Sequence, residues 1–83
     1  MSLSFNERRR DRLKVQPGDL FRRSRGFRQT ETATVLDLKQ DLFGIPHVRF
    51  SLAFEAQEIG RFEMGSRTLA LRSFIQTYPE RVS

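Results

Sequence analysis

Apolar and polar positions alternate most regularly over residues 47–55, where Val48, Phe50, Leu52 and Phe54 interleave with His47, Arg49, Ser51, Ala53 and Glu55. A period of two puts the four large apolar side chains on one face of a strand, whereas the helical period of 3.6 would scatter them around the circumference. Two shorter stretches carry the same pattern: Phe62 and Met64 beside Arg61 and Glu63, then Leu69 and Leu71 among Thr68, Ala70 and Arg72. Gln57–Gly60 and Gly65-Ser66 read as the turns that separate these strands. Upstream, Thr30–Leu38 is rich in Thr and Val, which favour strands. Alternation there places Thr32, Thr34, Leu36 and Leu38 on one face and Ala33, Val35 and Asp37 on the other. Leu20-Phe21-Arg22 reads as a short first strand after the Pro17-Gly18-Asp19 turn.

The remaining segments read as connections and ends. Arg23–Gln29 is a polar, basic loop, and Lys39–Pro46 is a loop broken by Gly44 and Pro46. Ser73 with Gln76 three residues on has capping-box spacing, and Phe74 and Tyr78 share a helical face beside Ile75. Pro79 limits that helix to about one turn. Residues 80–83 read as a loose tail. At the other end, Ser4 and Glu7 also have capping-box spacing, so residues 5–14 fit a short frayed helix, and the low apolar content fits disorder equally well.

Five short strands with hairpin-length turns and one apolar face each predict a mainly-β domain over residues 17–79. The expected form is a five-stranded antiparallel barrel or bent sheet with a short C-terminal helical turn, preceded by a basic arm over residues 1–16. Phe21, Leu36, Leu38, Val48, Phe50, Leu52, Phe54, Phe62, Met64, Leu69 and Leu71 are the expected core, with Phe74, Ile75 and Tyr78 capping an open end. The order of elements resembles the SH3-like barrels, including KOW and Tudor-type modules. The resemblance rests on Pro17-Gly18-Asp19-Leu20-Phe21, the Thr32–Leu38 and Val48–Phe54 strands and the closing Leu69–Tyr78 segment. The Gly44-Ile45-Pro46-His47-Val48-Arg49-Phe50 segment is also similar to one in an uncharacterised family of short bacterial proteins. On the barrel resemblance, the basic loop after the first strand corresponds to an RT-type loop. With no Trp and a single Tyr, the chain lacks the aromatic groove of a proline-peptide-binding SH3 domain and the cage that takes methylated lysine.

At 83 residues the chain holds one domain and a small core, without room for a large enclosed active site. The eight Phe supply much of the burial. The absence of cysteine excludes a disulfide framework, a zinc–cysteine site and a thiol nucleophile, and points to a reducing, cytoplasmic setting. No run approaches the ~18 apolar residues of a membrane span, and no apolar core follows Arg8-Arg9-Arg10 as in a signal peptide. The net charge of +5 is uneven: residues 1–28 hold nine basic and three acidic side chains, and the rest of the chain carries −1.

That asymmetry directs the functional reading to polyanions. Arg8, Arg9, Arg10 and Arg12 in the arm, Arg22, Arg23, Arg25 and Arg28 in the loop, and Arg49 on the strand are the candidate phosphate contacts, since guanidinium binds phosphate bidentately. Phe27 is the candidate for stacking on an unpaired base of DNA or RNA, turned outward where Gly26 lets the loop bend. The competing reading folds Phe27 into the core and leaves the arginines as a solvated loop. Catalysis has little to stand on. His47 is the only neutral-pH acid–base group, with Asp37 and Asp41 as neighbours across the hairpin, and Ser51 lies roughly 13 Å along the strand. Asp37, Asp41 and His47 match no metal-ligand spacing, and the isolated glycines form no phosphate loop. The expectation is a non-enzymatic binding module without a cofactor: a nucleic-acid binder, or alternatively a protein-interaction adaptor or homodimer pairing through strand edges, with residues 30–38 as the pairing strand.

Overall fold

A computed structural model describes residues 14–83. The helix read over residues 5–14 and the arm residues Arg8, Arg9, Arg10 and Arg12 lie outside or at the limit of these described residues. Five strands form one antiparallel sheet: β1 (Leu20–Gly26), β2 (Gln29–Gln40), β3 (Pro46–Ala56), β4 (Gly60–Ala70) and β5 (Glu80–Arg81). A helix, α1 (Leu71–Thr77), joins β4 to β5. The strand order is β4-β3-β2-β1-β5, so the sheet is open, with β4 at one edge and β5 at the other.

Several sequence expectations change. The basic stretch 23–29 is not a loop: β1 runs on to Gly26 and meets β2 through the two-residue turn Phe27-Arg28. Gly26 (φ +138°) and Arg28 (φ +60°) adopt the left-handed conformations that so tight a turn requires. Gly65-Ser66 is not a turn either. β4 is continuous through it, and an irregularity in its pairing with β3 absorbs the extra residue, with Gly65 at φ +83°. The fifth strand comes instead from the segment read as a tail, where Arg81 pairs with Phe21 and Glu80 with Arg22. The helix starts two residues before Ser73, at Leu71. No side chain caps it, and the Ser73 carbonyl accepts a hydrogen bond from Thr77 Oγ1 at 2.7 Å.

The core lies on one face of the sheet, under α1. Phe21, Val48, Phe50 and Leu52 are buried as expected, and Leu38, Leu69 and Leu71 pack partly against them. Leu36 is exposed, while Ala33 and Val35, read as facing away, are fully buried. A bulge at Leu36 is the cause, because one extra residue inverts the parity of β2 and lets both Val35 and Leu38 face inward. Phe74 is the keystone of α1. It packs edge-on against Phe21 at 5.1 Å and against Phe50 at 5.0 Å, with Tyr78 at 5.5 Å. Val15, read as part of the arm, is also buried in this cluster. Phe62 and Met64, read as core, are instead 45% and 47% exposed, because the seven-residue helix does not extend over that part of the sheet.

Candidate functional site

Each candidate arginine within the described residues has a carboxylate partner. Arg23 Nε donates to Glu31 Oε1 at 2.8 Å, its Nη2 lies 2.7 Å from the same oxygen, and Arg25 Nε approaches it at 3.3 Å. These contacts neutralise Glu31, the single buried charged residue among those described, which is only 4% exposed. The register makes this cluster: Arg23 sits opposite Glu31 across β1 and β2. The Arg23 guanidinium also lies 5.3 Å from the centre of the Tyr78 ring. Burial pushes the Tyr78 phenol above its usual range, with the nearby Glu31 charge adding to the effect. Arg22 pairs with Glu80, and each holds the other charged, raising the guanidinium and lowering the carboxyl. Arg49 pairs with Asp37 at 2.9 Å. Arg28 is held most loosely, 3.9 Å from Glu58 and stacked 4.7 Å over the ring of its neighbour Phe27.

Phe27 is 84% exposed at the β1–β2 turn, so it does turn outward. It lies beside the β3–β4 turn, where Gln57 N donates to the Arg28 carbonyl at 3.1 Å. Together with Ile59 these turns frame a shallow depression of about 170 Å³. At the opposite end, the β2–β3 loop presents Leu42 and Phe43, almost entirely exposed, and Ile45, half exposed. This loop is tightly built. Asp41 Oδ1 accepts from Phe43 N at 2.8 Å and Ile45 N at 3.0 Å, and Gly44 turns the chain at φ +77°. These amides, with the nearby His47, hold the Asp41 carboxyl below its ordinary range. The loop lies within the Lys39–Pro46 loop expected from sequence, shortened to residues 41–45, and the Asp-x-x-Gly spacing of Asp41 and Gly44 is the signal that marks such a turn; its exposed apolar side chains were not anticipated.

Of the two acids read as neighbours of His47, Asp41 comes within ion-pair reach of it and Asp37 does not. His47 Nδ1 lies 3.0 Å from the Ile45 carbonyl, positioned to donate to it, and 4.0 Å from Asp41 Oδ2. Asp37 is turned to Arg49. Among the described residues no three His, Cys, Asp or Glu come together as a metal would need. No helix among them is long and apolar enough to cross a membrane.

The β4 edge is also uncommitted. The first nine of its eleven residues are exposed. Only β3 pairs with it, leaving its outer row of backbone groups without a strand partner among the described residues. Phe62 and Met64 line one side of this edge, on the face that carries α1, and Phe62 pairs with Phe54 of β3. On the other face Arg61 bridges Glu55 at 2.9 Å and Glu63 at 3.0 Å. β2, the strand expected to pair in a dimer, is interior and has both edges filled by β1 and β3. Comparison with protein-family models, curated proteins and solved structures yields no match.

Proposed function

We propose that this chain is a non-enzymatic protein-interaction module that receives an extended segment along β4. The observation that carries the reading is the β4 edge itself, an exposed run of nine residues holding two half-exposed large apolar side chains. A sheet edge of this length offers main-chain hydrogen bonds to an added strand, and the flanking side chains supply selectivity. The strand order and the helical turn between β4 and β5 favour regarding the sheet as an opened form of the SH3-like barrel that the sequence resembles. The cysteine-free composition favours a cytoplasmic setting.

A second reading, DNA or RNA binding, rests on the arm arginines and on Lys14, Lys39, Arg67 and Arg72, which have no ion-pair partner among the described residues. The paired Arg22, Arg23, Arg25 and Arg49 would each have to leave a carboxylate to reach phosphate. In-cell photo-cross-linking separates the two. A photoreactive phenylalanine analogue at position 62 is expected to yield protein adducts that survive nuclease, and one at position 27 far fewer. Nuclease-sensitive adducts at position 27 with none at position 62 would transfer the function to nucleic acid.

A further inference from the structure

We infer that the segment that seats on β4 is the same β4 segment of a second copy of this chain, paired antiparallel about a two-fold axis at Phe62. The inference rests on the β4-edge reading above and names its partner. Three observations converge on this register.

The first is geometric. The irregularity at Gly65, where the pairing with β3 shifts, divides β4 into two runs, Gly60–Met64 and Ser66–Ala70. A bulge bends a strand and raises its twist, so pairing cannot run flat across it. The second run ends partly buried at Leu69 and Ala70, where α1 begins, so the run exposed throughout, with Phe62 and Met64, is the edge open to a partner, and Phe62 is the midpoint of Gly60–Met64. Only a register centred on Phe62 lets two copies pair that whole segment with itself.

The second is charge. In this register Arg61 stands directly opposite the partner copy's Glu63, and Glu63 opposite its Arg61. Arg61 and Glu63 already share one face, since they contact each other at 3.0 Å. Across the strands the row then reads Glu55, Arg61, Glu63 of the partner copy, with alternating sign at each step. Opposite charges directly across antiparallel strands stabilise the pair and like charges penalise it. A two-fold interface must be complementary to itself, and the sequence Arg61-Phe62-Glu63 has that property.

The third is the apolar row on the other face. Phe54 and Phe62 are cross-strand neighbours. Two-fold pairing extends them into a continuous row, Phe54, Phe62, then the same two residues of the partner copy in reverse. The row covers side chains that the short helix leaves open. Five residues per copy make a small interface, so the dimer is weak and concentration-dependent, half-formed at on the order of 10–100 µM.

The absence of cysteine permits a direct test of register on the purified full chain. In F62C the two sulfur-bearing residues stand directly opposite, about 4.5–5.5 Å apart at Cα, which a disulfide spans. In M64C they stand roughly 14 Å apart, four residues along the strand. Mild oxidation is expected to give covalent dimer from F62C and little from M64C. Because F62C also removes the aromatic contact, a second measurement uses charge alone. By sedimentation equilibrium R61E and E63R should each associate at least tenfold more weakly than the parent, and the swapped R61E/E63R chain should recover most of the loss. Cross-linking of M64C in preference to F62C, or an unchanged dissociation constant in both single variants, overturns this register. A purified chain that stays monomeric at millimolar concentration overturns self-pairing altogether. Adducts of the position-62 photoprobe to a foreign protein would in that case still uphold the edge as a docking strand, whereas their absence would remove both.

Discussion

Arg23 separates a structural guanidinium from a phosphate-binding one. Glu31 is 4% exposed, and Arg23 supplies two of its three close guanidinium contacts, at 2.8 and 2.7 Å, leaving Arg25 Nε at 3.3 Å. Replacing Arg23 by Met keeps the stem and removes the fork. Stripping one partner from a fully buried ion pair costs about 3–5 kcal/mol. Here the Arg23 side chain is 36% exposed and Arg25 remains, so solvent and the second guanidinium recover part of that cost. The expected loss is about 2–3 kcal/mol, or a Tm lower by roughly 10–20 °C in a domain of this size. Adding E31Q should return much of it, because the buried charge is gone and the two substitutions share one contact. Urea unfolding of the four chains in the cycle measures this coupling, with an unchanged m-value as the check on two-state comparison. A cost below about 0.5 kcal/mol for R23M, the range of an uncommitted surface residue, would mean that Glu31 does not depend on Arg23. Arg23 would then be a solvated side chain, available for phosphate.

Two further outcomes follow from the core and the β2–β3 loop. Phe74→Ala removes a fully buried ring that touches Phe21, Phe50 and Tyr78. It should cost about 3–5 kcal/mol, much of the roughly 4–12 kcal/mol available to a domain of this length, which calorimetry will register as a collapse of the transition. The Asp41 carboxyl is held low by the Ile45 and Phe43 amides it accepts from and by the nearby His47. A depressed carboxyl contributes order that is fully present above its unfolded value of about 3.9 and is lost as pH falls through the lower folded value. The Phe43 and Ile45 amide resonances should therefore hold steady down to about pH 4 and move only below it. Movement centred above that value would contradict the hydrogen bonding described.

β3 was legible in the sequence because its alternation is unbroken and both neighbouring strands are present. β2 was misread for a physical reason: a single bulge at Leu36 inverts parity, and nothing in the local composition marks it. Gly65-Ser66 carried the composition of a turn but serves as a kink within one long strand. Periodicity also identifies a face without saying whether anything covers it, which is why Phe62 and Met64 looked like core and stand half exposed. β5, two residues long, has no pattern to read. The arginines were visible as charges, but their partners were not. Glu80 lies 58 residues from Arg22, and only the sheet register brings them together.

Amide hydrogen exchange of the purified chain, followed from low micromolar to millimolar concentration, reads self-pairing of β4 residue by residue. Protection is predicted to rise with concentration across Gly60–Met64 while the Arg22–Arg28 hairpin and the Asp41–Ile45 loop stay unchanged. Concentration-dependent protection in that hairpin or loop, with Gly60–Met64 exchanging at a constant rate, would show that the chains meet elsewhere than at β4.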